Sequence, residues 1–283
     1  MRRRALLSVN LAVVLFGLAG LFAKWVALPA LGIAFGRVLF SSLALGAWLL
    51  LRGESLRLSR PRDLPRLCAA GVVLALHWWA FLAAIQLSTV AVGTITFSAF
   101  PLFVTFLEPL VLHTRLRARD VGIALLILIG VAVTVPSLSF ESGMLRGLLV
   151  GMISSFAYAV LTVLNKSFAG RCPAALTAFY EQATAALVLL PLVLRANLRP
   201  APRDLALLLF LGVVTTALAH TLFISGLRTL PARLAGVFSS LETVYGILFA
   251  LLLLGEVPAA RECLGAAIIL GAVLLAQRRP KPV

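Results

Sequence analysis

The chain is one hydrophobic pattern written twice. Its 283 residues divide near residue 140 into two halves of similar length, each broken into five apolar stretches. The stretches run over 5–25, 30–51, 65–86, 90–112 and 119–136, then over 145–165, 174–194, 205–226, 233–254 and 261–277. Each is close to the roughly 20 residues a helix needs to cross a bilayer. A five-span unit ends on the side opposite to where it began, so its second copy enters the membrane upside down. Inverted copies of this kind enclose a midplane site in many secondary transporters. The expected architecture is an all-α membrane protein of ten transmembrane helices, built as two inverted five-helix repeats over 1–140 and 141–283.

Composition leaves little alternative. Mean hydropathy is +1.07, and 61 % of residues are apolar while 12 % are charged. A soluble domain needs far more polar surface, and no stretch is left over to form one. The long apolar runs lack the ten-residue alternation of a membrane barrel, so helices are expected.

The formal net charge of +15 is a topological signal rather than a nucleic-acid footprint. In the ten-span arrangement one side receives Arg2, Arg3, Arg4, Arg52, Arg57, Arg60, Arg62, Arg66, Arg115, Arg117, Arg119, Lys166, Arg171, Arg228, Arg233, Arg278, Arg279 and Lys281, 18 in all. The other receives six: Lys24, Arg146, Arg195, Arg199, Arg203 and Arg261. The excess places both termini in the cytoplasm of a bacterial inner membrane protein. The loop with Arg195, Arg199 and Arg203 runs against the rule. Leu21-Phe22-Ala23 is a poor signal-peptide cleavage site, and removing the first span would break the symmetry. Cys68, Cys172 and Cys263 have no metal-type spacing.

The copies align in residues as well as in hydropathy. Asp63-Leu64 leads to Gly71-Val72-Val73 as Asp204-Leu205 leads to Gly212-Val213-Val214. Leu87-Ser88-Thr89-Val90-Ala91 answers Arg228-Thr229-Leu230-Pro231-Ala232, and Lys24 answers Lys166. Phe97-Ser98-Ala99-Phe100-Pro101 stands opposite Ser239-Ser240-Leu241-Glu242-Thr243. A stripe of Gly143, Gly147, Gly151, Ser155 and Ala159 is expected to be a helix-packing face.

The run from Leu241-Glu242-Thr243 to Leu254-Gly255-Glu256 and Gly265-Ala266-Ala267-Ile268-Ile269-Leu270-Gly271 resembles the end of an EamA-type repeat of the drug/metabolite transporter superfamily. Thr243 stands where that family usually has proline, and His113-Thr114 replaces the Gly-Glu pair in the first copy, which retains Pro101. The resemblance implies ten spans, with the third, fourth, eighth and ninth around a cavity. Within the superfamily the aromatic content is closest to bacterial aromatic amino acid exporters.

Polar side chains at membrane depth are costly, so each is a candidate site residue. His77, Trp78 and Phe81 in the third span, with helical spacing between His77 and Phe81, offer a wall suited to a flat, partly polar ligand. Phe97, Ser98 and Pro101 in the fourth add an aromatic ring, a hydroxyl and a hinge. Tyr158, His220, Ser239 and Glu242 complete the expected substrate cavity, and the family resemblance ranks Tyr158 above Tyr180 of the Tyr180-Glu181-Gln182 run. His77 and His220 either shuttle protons or act as neutral hydrogen-bonding groups; with no acid evident beside them, the neutral reading is favoured. Glu242 either pairs with Arg37, Lys24 or Lys166, or contacts a ligand amino group or a proton.

The functional expectation is a secondary transporter, not an enzyme, exporting small amphiphilic metabolites, amino acids including aromatic ones first among them, by alternating access. No cofactor or metal is implied, and no phosphate-binding loop for ATP is present. Expected partners are the small-molecule substrate and the lipid bilayer, with no nucleic acid and a monomeric carrier. A broad exporter of drugs or cationic aromatics coupled to protons is the alternative. An intramembrane hydrolase is a remote one, since no nucleophile elbow is present.

Overall fold

The computed structural model describes residues 2–113, 115–134 and 143–277, and these form helices with no strand. The first half contains α1 (Arg2–Ala19), a single turn α2 (Phe22–Trp25), α3 (Ala30–Leu51), α4 (Leu64–Leu87), α5 (Val90–Phe97), α6 (Phe100–Leu112) and α7 (Ala118–Thr134). The second contains α8 (Gly143–Phe168), α9 (Ala174–Ala196), α10 (Pro202–Gly212), a π-helical segment Val213–Leu218, α11 (Ala219–Leu227), α12 (Ala232–Ser239), α13 (Leu241–Leu254) and α14 (Ala260–Gln277). Residues 135–136 of the expected fifth stretch, the join at 140/141, Thr114, Arg278, Arg279 and Lys281 lie outside the described residues.

Counting broken helices as single rods, eight described segments are long and apolar enough to cross a membrane. α7 and α14, of 17 and 18 residues, lie outside that set. They pack along one another, with Gly130 so close to α14 that a Cβ would come within 3.0 Å of the Gly265 carbonyl. The small-residue stripe of α8 does what its spacing predicts. A Cβ on Gly143, Gly147 or Gly151 would meet Leu87, Ser88 or Thr96 at 2.8, 2.9 and 2.9 Å.

Three of the expected spans are interrupted. The fourth stretch breaks between α5 and α6 at Ser98 and Ala99, and the ninth breaks at Ser240 between α12 and α13, the positions the repeat sets opposite one another. Pro101 therefore sits in the first turn of α6, where a missing amide costs nothing, rather than kinking a continuous helix. The two breaks touch: Thr243 Oγ1 donates to the Thr94 carbonyl at 2.8 Å and contacts the Ser98 hydroxyl. The eighth stretch is interrupted by the π-helical segment, where Thr216 Oγ1 donates to Leu211 O at 2.7 Å, five residues back.

The two copies also share their helix ends. α3 and α9 start behind Pro29 and Pro173 and end near left-handed Gly53 and Asn197, with φ of 69° and 45°. α6 and α13 stop at left-handed His113 and Gly255, φ 52° and 69°. Lys24 Nζ donates to Ser88 O at 3.0 Å behind α4, and Lys166 Nζ donates to Leu227 O and Leu230 O at 2.7 and 2.8 Å behind α11. Each ammonium satisfies carbonyls that a helix C-terminus leaves orphaned. Asp204 accepts from the Ala27 amide at 3.0 Å, and Asp63 lies 3.9 Å from Arg171, so each copy holds a loop of the other.

Among the described residues one contact has no counterpart in the other copy. Glu108, 2 % exposed, accepts from the Ala232 and Arg233 amides at 3.3 and 2.9 Å and lies 3.6 Å from the Arg233 guanidinium, which also reaches Asp120 at 3.3 Å. It ties the end of α6 to the start of α12.

Candidate functional site

A row of aromatic rings runs through the middle of the bundle. Phe16 of α1 meets Trp78 of α4 and Phe223 of α11 at centroid separations of 6.2 and 6.1 Å. Tyr158 of α8 lies 4.6 Å from His77, 5.1 Å from Phe97 and from Phe100, and 5.7 Å from Phe223. Phe81 packs 5.5 Å from Phe97. Helical spacing decides which tryptophan takes part: Trp78 is 3 % exposed, while Trp79, turned a residue further, is 38 % exposed on the outside of the bundle.

Polar groups set among these rings are held by one atom and free at the others. Arg37 of α3 is fully buried. Its Nε donates to Thr216 Oγ1 at 3.2 Å, and its guanidinium carbon lies 3.3 Å from the Trp78 ring centre, a cation–π geometry. Both Nη atoms are buried without a partner. The π-helical segment makes this contact possible. Gly212, just before it, lets α10 approach α3 so closely that a Cβ would meet Phe40 Cβ at 2.6 Å and the Arg37 carbonyl at 2.9 Å.

His77 Nδ1 lies 3.1 Å from the Ser154 carbonyl and 2.9 Å from its hydroxyl. A carbonyl only accepts, so Nδ1 carries the hydrogen and buried Nε2 is a free acceptor. Tyr158 Oη and Trp78 Nε1 are likewise buried without partners. The expected Arg37–Glu242 ion pair is not formed. Glu242, 2 % exposed, makes no hydrogen bond or ion pair with the described residues, although Arg37 and Tyr158 lie within its electrostatic reach. Lys24 and Lys166, the other partners considered for it, are spent on helix ends.

His220 corrects the sequence reading. An acid does stand beside it: Glu181 Oε2 is 2.7 Å from His220 Nε2, with both side chains fully buried. Glu181 lies inside the seventh apolar stretch, and that depth was the signal available in the sequence. Ser154, Thr216 and Asn165 were unmarked there, being residues that membrane helices also carry for back-bonding or packing.

The structure thus gathers Arg37, His77, Trp78, Phe81, Phe97, Tyr158, His220 and Glu242 in one interior. Ser98 Oγ donates to Thr94 O at 3.2 Å and Ser239 Oγ to Ala235 O at 3.0 Å, so each hydroxyl is bonded back to its own helix. Pro101 packs near Gly236 of α12. Tyr180 points away, its hydroxyl donating to Leu56 O at 2.8 Å.

Known proteins match this arrangement along its length. The chain is 22 % identical over 276 residues, 96 % of it and 88 % of the relative, to the uncharacterized transporter YxxF of Bacillus subtilis. It is 24 % identical over 243 residues, 86 % of this chain and 81 % of the other, to the S-adenosylmethionine uptake transporter of Rickettsia prowazekii. It is 28 % identical over 130 residues, 46 % and 45 % of the two chains, to the pseudopaline exporter CntI of Pseudomonas aeruginosa. A crystal structure 24 % identical in sequence superposes with a TM-score of 0.76 over 96 % of this chain and 97 % of that one, a likeness of fold. The EamA-like transporter family model matches twice, over residues 3–135 and 145–277. This multi-pass membrane chain, two matched units around a buried polar centre, belongs to the EamA-like transporter family.

Proposed function

We propose that the protein exports small amphiphilic metabolites, amino acids with aromatic side chains foremost, across the bacterial inner membrane. The observation that carries this reading is Arg37: a fully buried guanidinium with both Nη atoms unpartnered, stacked on Trp78 and within electrostatic reach of an unpaired carboxylate, Glu242. A guanidinium fork suits a carboxylate, a carboxylate suits an ammonium, and the rings around Tyr158 suit an aromatic side chain. Together they complement a zwitterionic amino acid.

In this reading ten helices form two inverted repeats over 1–140 and 141–283, with α7 and α14 as their fifth spans and both termini in the cytoplasm. The paired breaks in the fourth and ninth spans are the hinges of alternating access, as discontinuous helices are in other carriers. The carrier works as a monomer in the bilayer, with no cofactor. S-adenosylmethionine, named for one relative, carries an α-amino acid group. An uptake transporter and an exporter both occur among the relatives, so export here rests on the aromatic exporters that the sequence resembles. A second reading, export of cationic aromatics, is favoured by the unpaired Glu242 alone.

The test is counterflow: uptake of radiolabelled phenylalanine into proteoliposomes preloaded with unlabelled phenylalanine. Accelerated uptake over empty vesicles is expected. No acceleration with folded protein would end the aromatic amino acid assignment.

A further inference from the structure

A recess on the outside of the bundle stands apart from the aromatic interior. Its volume is about 310 Å³, within the range of ligand pockets. Ala44 and Trp48 of α3, Ala175 of α9, Ala217 and Leu218 of the π-helical segment and Thr221 of α11 line it. The small alanine side chains leave the space open. Trp48 and Leu218 are 43 % and 48 % exposed, so the recess opens away from the core, onto what is hydrocarbon in a bilayer.

Two polar features lie on this otherwise apolar wall. Arg52, which ends α3, holds its guanidinium carbon 5.2 Å from the Trp48 ring centre, a cation–π distance. It forms no ion pair with the described residues. From Ala44 to Arg52 the helix rises about 12 Å, which sets this cation at the rim. Thr221 Oγ1 is buried without a partner, whereas Thr215 and Thr216 bond back to Leu211 O at 2.9 and 2.7 Å. A buried hydroxyl left in this way is costly and calls for a partner from outside the chain.

An apolar recess, a hydroxyl within it and a cation at its rim match the parts of a phospholipid: acyl chain, ester carbonyl and phosphate. We propose that the recess binds an anionic phospholipid from the leaflet on the Arg52 side, and that this lipid braces the π-helical segment. Acyl methylenes fill the space beside Ala44, Ala175 and Ala217. An ester carbonyl accepts from Thr221 Oγ1, and the phosphate sits against Arg52. A net negative headgroup is preferred because the same loop adds Arg57, Arg60 and Arg62 beside Glu54. The braced segment is the one whose Thr216 holds Arg37 Nε at 3.2 Å, so an occupied recess fixes the guanidinium in the interior. The bracing, unlike the lipid site, rests on the transporter reading above.

The experiment reads the thermal midpoint of lipid-depleted protein in detergent, titrated with phosphatidylglycerol, with phosphatidylcholine of the same chains, or with glycerol phosphate. Phosphatidylglycerol should raise the midpoint saturably, phosphatidylcholine only at about fivefold or more higher concentration, and glycerol phosphate not at all. Arg52→Gln should weaken the phosphatidylglycerol response about fivefold. Arg199→Gln, beside the Leu198 that packs on Gly32 at the start of α3, should leave it within about twofold. Ala44→Phe, which fills the recess, should abolish the response to both lipids with a lipid-free midpoint no lower than the wild type's. Thr221→Val, which keeps the shape, should weaken both lipids about threefold. Equal responses to the two lipids, a full response in Ala44→Phe, equal losses in Arg52→Gln and Arg199→Gln, or a response to glycerol phosphate would overturn the lipid site. In proteoliposomes, exchanging phosphatidylglycerol for phosphatidylcholine should raise the KM for phenylalanine counterflow about threefold or more in the wild type and leave it unchanged in Ala44→Phe. A KM indifferent to the lipid would overturn the bracing. If counterflow fails in both lipids while phosphatidylglycerol still raises the midpoint, the amino acid reading falls and the lipid site stands.

Discussion

Arg37 shows how far a single residue can be read from sequence. Its depth marked it as a candidate partner for Glu242, because a charge at mid-span needs a reason. Its partner was misassigned, because which helix faces it depends on the π-helical register and on the close approach at Gly212, neither of which periodicity reveals. Glu181 was passed over for the same reason: the contact with His220 joins two helices 39 residues apart in sequence. The structural role of Arg37 makes a sharp prediction. Lysine keeps the charge but loses the fork and the stacking on Trp78. A charged hydrogen bond is worth about 1.5–3 kcal/mol, so Arg37→Lys should raise the KM for phenylalanine counterflow about tenfold or more with maximal rate little changed. An unchanged KM would remove Arg37 from the site.

At the scale of elements, the hydrophobic pattern located the helices well and their interruptions poorly. Breaks at Ser98 and Ser240 leave an apolar run intact, so hydropathy passes straight over them; the repeat alignment put the two segments opposite each other without showing that either is broken. Helix ends carried more information than was used, since Pro29 and Pro173, or Gly53 and Asn197, are matched punctuation. His113 is the exception that can be measured. It holds the left-handed conformation that Gly255 holds in the other copy, and this costs a residue with a Cβ about 1 kcal/mol. His113→Gly should therefore raise the thermal midpoint of the purified protein, and Gly255→Ala should lower it, each by the equivalent of about 1 kcal/mol. Opposite signs for the two substitutions are expected; two losses would mean that the His113 side chain contributes more than its backbone costs.

For the whole molecule, the repeat was the legible part, because five apolar stretches twice over leave few ways to fold in a bilayer. Cross-copy contacts add an orientation argument. Asp63 with Arg171, Lys166 behind α11, and Glu108 with Arg233 gather at one end of the bundle, and Lys24 behind α4 with Asp204 at Ala27 gather at the other. The first end carries the positive excess. Cysteines placed singly at Arg57 and at Arg199 should accordingly react with an impermeant thiol reagent from the cytoplasmic side and the outer side respectively; the same side for both would contradict the inverted topology. The central claim is that the interior recognises a zwitterion through Arg37 at one end and a carboxylate at the other. Competition against labelled phenylalanine counterflow by unlabelled phenylalanine and by phenethylamine, which keeps the ring and ammonium but lacks the carboxylate, tests it directly. Phenethylamine should compete about tenfold or more weakly, having nothing to offer the guanidinium. Equal or stronger competition by phenethylamine would contradict the zwitterion site and point to a carrier of cationic aromatics.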